Sequence, residues 1–273
     1  MPEPIGLKLV PIYEAFDVNF YTLLDKQSSA RCVHSQSLVG TRKNHMKKAL
    51  NEYPRLKKAM VPVDPEVRIP LTWPVGTYGL PMPKSGCPKG ITFPWHVGTR
   101  HHDTEDHSPG NNWSTPYDLA GYVDRNNMEQ KFCMKTQRNS GISWPKGQYC
   151  ILKKGPCPQG LRTGYIRWDD EDKNNRNRIS GELPDGVYGR NTRIEYCCRV
   201  DGNANNAIIL PTDSPFVMLK SNKYQCQLVQ GMNVQTGYFQ WDCEDSNPAN
   251  GAGGSRPYSS VGNNIKIEYC YYS

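Results

Sequence analysis

The chain predicts a mainly β, disulfide-stabilised module over residues 73–273, built from three degenerate units, and three observations predict it. An acidic signature (Asp, any residue, Glu, Asp) falls at Asp103 to Asp106, at Asp169 to Asp172 and at Asp242 to Asp245. Its first aspartates lie 66 and then 73 residues apart, and self-similarity at a steady period marks a repeat architecture. Cys87, Cys157 and Cys226 keep nearly the same period, as do Cys133, Cys197 and Cys270. Finally, the segments ending MEQKFC, RIEYCC and KIEYCYY alternate polar and aromatic residues, the pattern of a half-buried antiparallel strand.

From the N-terminus, residues 4–16 read as extended, with Leu7 and Leu9 on one side, Lys8 and Val10 on the other, and Pro4 and Pro11 as bounds. A polar connection over 17–40 contains Cys32. From Thr41 the spacing of Met46, Ala49, Leu50 and Tyr53 predicts a helix that Pro54 ends. Its Arg42, Lys43, Lys47 and Lys48 face is read as the solvated side of a packed helix. One strand and one helix bury too little to fold well alone. The three prolines of residues 60–72 give a semi-rigid linker over 61–72.

The three units are placed at about 73–136, 144–200 and 210–273. Trp73 and Trp144 open the first two, and Leu210 with Pro211 takes that place in the third. Each unit is expected to hold three or four short strands, in an approximately threefold prism or a sandwich-like arrangement.

Composition agrees. The apolar fraction of 37% falls below the usual 45–50% or so, while Gly, Pro and Tyr are plentiful, which favours short strands and turns. Nine of ten cysteines lie in the repeat region, which indicates a disulfide framework and an oxidising, extracellular compartment. Zinc is the rival reading, but no C-x-x-C pair occurs and the adjacent Cys197 and Cys198 suit separate partners. If the bonds follow the repeat, Cys87 joins Cys133, Cys157 joins Cys197, Cys226 joins Cys270, and Cys150 joins Cys198. Cys32 and Cys243 then bridge the two regions or stay free, and spacing alone leaves the connectivity open. The net charge of +7 is scattered, with 22 Lys and Arg against 19 Asp and Glu after residue 72, too weak an excess to imply nucleic acid. No run approaches 18 consecutive apolar residues, so no transmembrane helix is expected. MPEPIGLKLVPIYEAF lacks the apolar region of a signal peptide, and a disulfide framework without one suggests a chain that starts inside a longer secreted protein.

The acidic loops invite two chemistries. Asp103, Glu105, Asp106, Asp169, Glu171, Asp172, Asp242, Glu244 and Asp245 supply the hard oxygens of a calcium site. The spacing is not that of an EF-hand, and such residues also build ordinary turns. Calcium is the one cofactor considered. Paired carboxylates could instead run glycoside hydrolysis, yet an enzyme needs one tuned pair and a scaffold element is what repeats. Trp95, Trp113, Trp168, Trp241 and Tyr238 flank the loops. Ring faces beside carboxylates and amides suit a carbohydrate or muropeptide surface, so the candidate ligand-binding set is Trp113, Trp168, Tyr238, Trp241, Arg100, Asp169, Asp170 and Asp242. The competing reading makes Trp168 and Trp241 core residues, and Trp113 is the better exposed contact. Asn112, Trp113 and Ser114 form a glycosylation sequon. His96, His101, His102 and His107 lack a fixed metal-ligand spacing and read as a surface loop. No catalytic triad pattern and no phosphate loop appear.

GCP with WHVGTRHHDTED, then WPKGQYCI, GYIRWDDEDKN, LPDGVYGRNTRIEYCCRVDG and the closing IEYCYY stand in an order and spacing that resemble the apextrin C-terminal domain, ApeC. Cys32 and Cys243 look like additions to that family's usual set. PEPIGLKLVPIYEAF and RKNHMKKALNEY resemble the closing strand and helix of the membrane attack complex and perforin (MACPF) family. The resemblance therefore implies a MACPF remnant over 1–60 followed by an ApeC domain over 73–273. It implies a secreted, non-enzymatic protein of innate immunity that recognises bacterial cell wall, with peptidoglycan or muramyl dipeptide as ligand. Membranes would be engaged only through the missing MACPF portion. An extracellular-matrix or adhesion role on host glycans is the alternative, and a hydrolase the weakest one.

Overall fold

The computed structural model describes residues 9–11, 21–23, 72–104, 110–170, 174–243 and 249–273. The chain divides into two compact units, Met1–Glu66 and Val67–Ser273. In the first, β1 (Leu9–Pro11) pairs antiparallel with β2 (Tyr21–Leu23). The helix expected from Thr41 lies outside the described residues, as does Cys32.

The second unit is all strand among the described residues, in one 15-stranded sheet. Its strands fall into three sets of five. The first set is β3 (Tyr78–Pro81), β4 (His96–Asp103), β5 (Asn112–Trp113), β6 (Gly121–Val123) and β7 (Asn127–Lys135). The second is β8 (Gln148–Lys153), β9 (Arg162–Trp168), β10 (Arg178–Gly181), β11 (Gly186–Tyr188) and β12 (Thr192–Val200). The third is β13 (Phe216–Lys220), β14 (Val234–Trp241), β15 (Gly251–Gly254), β16 (Ser259–Val261) and β17 (Ile265–Tyr272). Each set has five strands, one or two more than the three or four expected.

Within every set the first, second and fourth strands pair with the fifth, which is the alternating strand foreseen from MEQKFC, RIEYCC and KIEYCYY. The third strand leaves its own set. β10 pairs with β4, β15 with β9, and β5 with β14. Each set thus lends one strand and receives one. Glycine permits the close crossing: a Cβ at Gly98 would come within 1.7 Å of Glu182 O, and one at Gly164 within 2.2 Å of Ser255 O. The first strands meet as well, with β8 pairing to both β3 and β13.

Period-two alternation puts Ile166 and Trp168 of β9, and Phe239 and Trp241 of β14, on one buried face. A second cluster, on the other side of the first strands, gathers Trp73, Trp144, Leu210, Phe216 and Tyr272, so the residues that open the three units share one core. The bonds Cys87–Cys133, Cys157–Cys197, Cys226–Cys270 and Cys150–Cys198 all form as the repeat suggested. Each staples a set to itself. Cys243 is a free, buried thiol, and burial pushes its pKa up, which makes it inert.

Candidate ligand-binding surface

The second strand of each set runs into the acidic signature, and the borrowed strand begins beside it. Asp103 N–H donates to Asn177 Oδ1 (2.7 Å), and Arg176 N–H donates to Asp103 Oδ2 (2.7 Å). Asp169 N–H donates to Asn250 Oδ1 (2.9 Å), and Ala249 N–H donates to Asp169 Oδ2 (2.6 Å). Asp242 N–H donates to Asn111 Oδ1 (2.8 Å). Each asparagine then turns its Nδ2 to the bend before a fifth strand: Asn177 to Arg190 O at 2.6 Å, Asn250 to Asn263 O at 2.8 Å, and Asn111 to Asp124 O at 3.1 Å. The first aspartate and this asparagine form a clasp that holds the borrowed strand.

The clasp corrects part of the sequence reading. Asp103, Asp169 and Asp242 are buried; Asp103 and Asp169 accept backbone N–H groups, and Asp242 N–H is held by Asn111, so Asp169 and Asp242 do not face a ligand. Among the described residues no three His, Cys, Asp or Glu side chains converge on a common point. The other signature carboxylates proposed for calcium, Glu105, Asp106, Glu171, Asp172, Glu244 and Asp245, lie outside the described residues. The clasp asparagines went unrecognised as a set, although all three sit eight residues past the first aspartate. That offset was the available signal.

One residue before the clasp aspartates, His102, Trp168 and Trp241 occupy the same place in β4, β9 and β14. Their ring centroids stand 6.0, 5.7 and 4.8 Å apart, pair by pair. Trp168 and Trp241 are therefore core residues and not ligand contacts, because both are buried against each other in one apolar cluster and Trp241 also meets Phe239 edge-on. His101 and His102 are likewise buried in β4 instead of lying on a surface loop; only His96 is exposed, and His107 is outside the described residues.

Arg100 and Asp170, expected at the ligand, are 1% and 2% exposed and face each other. Arg100 Nη2 donates to Asp170 Oδ2 (3.3 Å) and to Gly189 O (3.0 Å), and Nε donates to Thr192 Oγ1 (3.0 Å). His102 Nδ1 lies 3.1 Å from Asp170 Oδ1, and its Nε2 lies 3.1 Å from Gln130 Oε1. Burial alone would push the Asp170 carboxyl up, but the His102 ring, the Thr192 hydroxyl and the Arg100 guanidinium together hold it below its ordinary value. This is a satisfied internal network and not a catalytic carboxylate.

Outward-facing chemistry sits on the opposite face of the same strands. Tyr238 of β14 has Lys266 Nζ 3.9 Å from its ring centroid, and its hydroxyl donates to Asn112 Oδ1 (3.3 Å). At the matching place in β9, Tyr165 has the Arg193 guanidinium 4.1 Å from its centroid. Both tyrosines are half-buried. Trp113 pairs with Phe239, so it lies on the other strand face from Tyr238 and is half-exposed. The structure brings Asn112 to Tyr238 but not Trp113, and the sequon asparagine is exposed there.

Chain topology defines a disulfide-stapled module that is all β among the described residues: its first signature aspartates are spent on scaffold, and Tyr165 and Tyr238, each beside a cation, lie on the outward strand face. Residues 73–272 match the family model for the C-terminal domain of apextrin, ApeC, and the chain belongs to that family. No curated protein and no solved structure matches the chain.

Proposed function

We propose that this protein recognises bacterial cell-wall saccharide, peptidoglycan or its muramyl dipeptide fragment, without catalysis. The observation that carries the reading is the pair of outward tyrosines at matching strand positions, Tyr165 and Tyr238, each beside a cation and, for Tyr238, an amide. An aromatic body with polar neighbours stacks on a sugar ring and fixes its hydroxyls. The recurring strand scheme supports an approximately threefold arrangement of such patches. Four disulfides are consistent with an extracellular protein. Residues 1–60 are then the end of a MACPF-like domain, and the ApeC module is the targeting part of a secreted innate-immune or pore-forming protein.

Retention of the disulfide-intact protein on insoluble peptidoglycan, with cellulose and chitin as controls, in calcium and in chelator, tests this. Selective retention on peptidoglycan is expected. Loss of retention in chelator would assign the acidic loops to calcium. Absence of retention in both buffers would replace the cell-wall reading with adhesion to host glycans or matrix.

A further inference from the structure

An open cleft of about 550 Å³ lies away from the clasps, between the segment after β12, the loop after β13 and the start of β8. Gln148, Asn203, Asn205, Asn222, Gln225 and Tyr224 carry its polar and aromatic lining, and none of its lining residues is charged. Such a volume is that of a small-ligand site. Tyr224 is 79% exposed, more than any other large apolar side chain described. Lys223 Nζ stands 5.2 Å from the Tyr224 ring centroid, over one face, which leaves the opposite face for a ligand.

The walls are held before any ligand arrives. Gln225 Nε2 donates across the cleft to Asn205 Oδ1 (2.6 Å). Asn222 Oδ1 accepts the Tyr224 N–H (2.8 Å), and Asn203 Oδ1 accepts the Asn205 N–H (3.0 Å). Beneath them the buried Gln227 accepts the Gln148 N–H (2.9 Å) at its Oε1 and donates from Nε2 to Asn206 O (2.7 Å). A parallel bridge between Ile208 and Val229 ties the segment after β12 to the one after β13. These bonds engage the asparagine oxygens and leave the amide N–H groups of Asn203, Asn205 and Asn222 for a partner rich in acceptors. Side chains fixed this way cost little ordering on binding.

We propose that this cleft binds an uncharged oligosaccharide segment, with Tyr224 stacking on a ring and the asparagine amides donating to hydroxyl or acetamido oxygens. The chemistry is specific: fixed amides beside an exposed ring match a neutral ligand with many hydroxyls, and the absence of charged lining residues disfavours an anion or a cation. In ligand class the inference rests on the glycan-binding reading above, but it assigns a different site from Tyr165 and Tyr238.

The test titrates the disulfide-intact full chain with an N-acetylglucosamine tetramer and with cellotetraose, followed by calorimetry and by the side-chain amide NMR signals of Asn and Gln. Saturable binding of at least one probe is expected, with amide shifts in the cleft and no weakening at high salt. Tyr224→Ala should bind about tenfold more weakly or worse, and Tyr224→Phe should bind like wild type. At so exposed a position both variants keep the fold, which unchanged thermal unfolding verifies. Binding of neither probe, or equal binding by wild type, Tyr224→Ala and Asn205→Ala, overturns the cleft. Peptidoglycan retention that survives Tyr224→Ala while both probes fail to bind overturns the cleft and leaves the cell-wall reading standing. Probe binding without peptidoglycan retention does the reverse.

Discussion

Arg100 Nη2 and Asp170 Oδ2 lie 3.3 Å apart in the interior, one from the first set of strands and one from the second. Arg100 stands where β9 has Ile166 and β14 has Phe239, and Asp170 stands where the other signatures have Thr104 and Cys243. A charge placed at an apolar position is thus answered by a charge from the neighbouring set. Asp170→Ala leaves Arg100 buried and uncompensated, and should cost about 3–5 kcal/mol in urea unfolding. Arg100→Ile combined with Asp170→Thr restores the residue types of the other sets and should recover most of that loss. A double variant no more stable than Asp170→Ala would refute the pairing.

Acid should expose the same network. With the folded Asp170 carboxyl held below its ordinary value, the unfolded chain takes up its proton first as pH falls. The stabilisation is complete above the usual carboxylate range and is lost as pH drops through the folded value. Unfolding free energy measured from neutral pH downward should therefore fall more steeply for wild type than for Asp170→Asn. Parallel curves would contradict the assignment.

Lys135 behaves in the opposite sense. Its side chain is buried, donates to Gly76 O and Gln137 O, and lies 5.1 Å from the Tyr78 ring centroid and 4.9 Å from that of Phe93. Burial, with help from Arg138, pushes its ammonium down to about 8 from 10.5. The unfolded chain then binds more protons between those values, so the cost of the buried charge is full below about pH 8 and relieved as pH rises toward 10.5. Wild type should gain stability relative to Lys135→Met across that interval. A constant difference would show that Lys135 does not titrate there.

The clasp predicts a local effect with a global cost. Asn250→Ala removes an acceptor from Asp169 N–H and donors from the carbonyls of Gly262 and Asn263, which should cost about 1–3 kcal/mol. Amide exchange at Asp169 should quicken more than at distant residues such as Met218. Uniform exchange would mean that the clasp is incidental.

Gly164→Ala tests the strand crossing, because its Cβ would meet Ser255 backbone at 2.2 Å. A loss of about 1–3 kcal/mol is expected, as for other overpacked sites. Gly189→Ala, where a Cβ meets nothing within 4 Å, serves as the control in the same unfolding experiment.

Much of the scaffold was legible. Cysteine periods suggested three of the four bonds and left Cys150 and Cys198 as a fourth pair, a pattern that matches because each bond closes inside one set, and polar–aromatic alternation gave β7, β12 and β17 because those strands are covered on one face. Position within a repeat also flagged Trp168 and Trp241, but alternation cannot say which face is covered, and their burial needed the third partner, His102. Asp169, Asp170, Asp242 and Arg100 misled because charged residues are ordinarily exposed; here backbone donors and mutual pairing compensate their burial. Strand exchange was invisible, since pairing partners more than a hundred residues apart, such as Asn112 and Gln240, leave no local pattern. The Tyr224 cleft escaped for a related reason: it is assembled from two loops that the repeat does not describe.

Exchange also sets the order in which the protein can mature. All four disulfides close spans of 40–48 residues, so Cys87 can find Cys133 while the later sets are still being synthesised. β5 must wait, because its acceptor edge at Phe239 and Gln240 is more than a hundred residues downstream. Made in an oxidising compartment, each set would emerge already cross-linked yet with an open edge, and only the arrival of β14 gives the first set's lent strand its place. A translation arrest between β12 and β14 would leave an oxidised, protease-sensitive nascent chain, and release of the arrest would make it resistant.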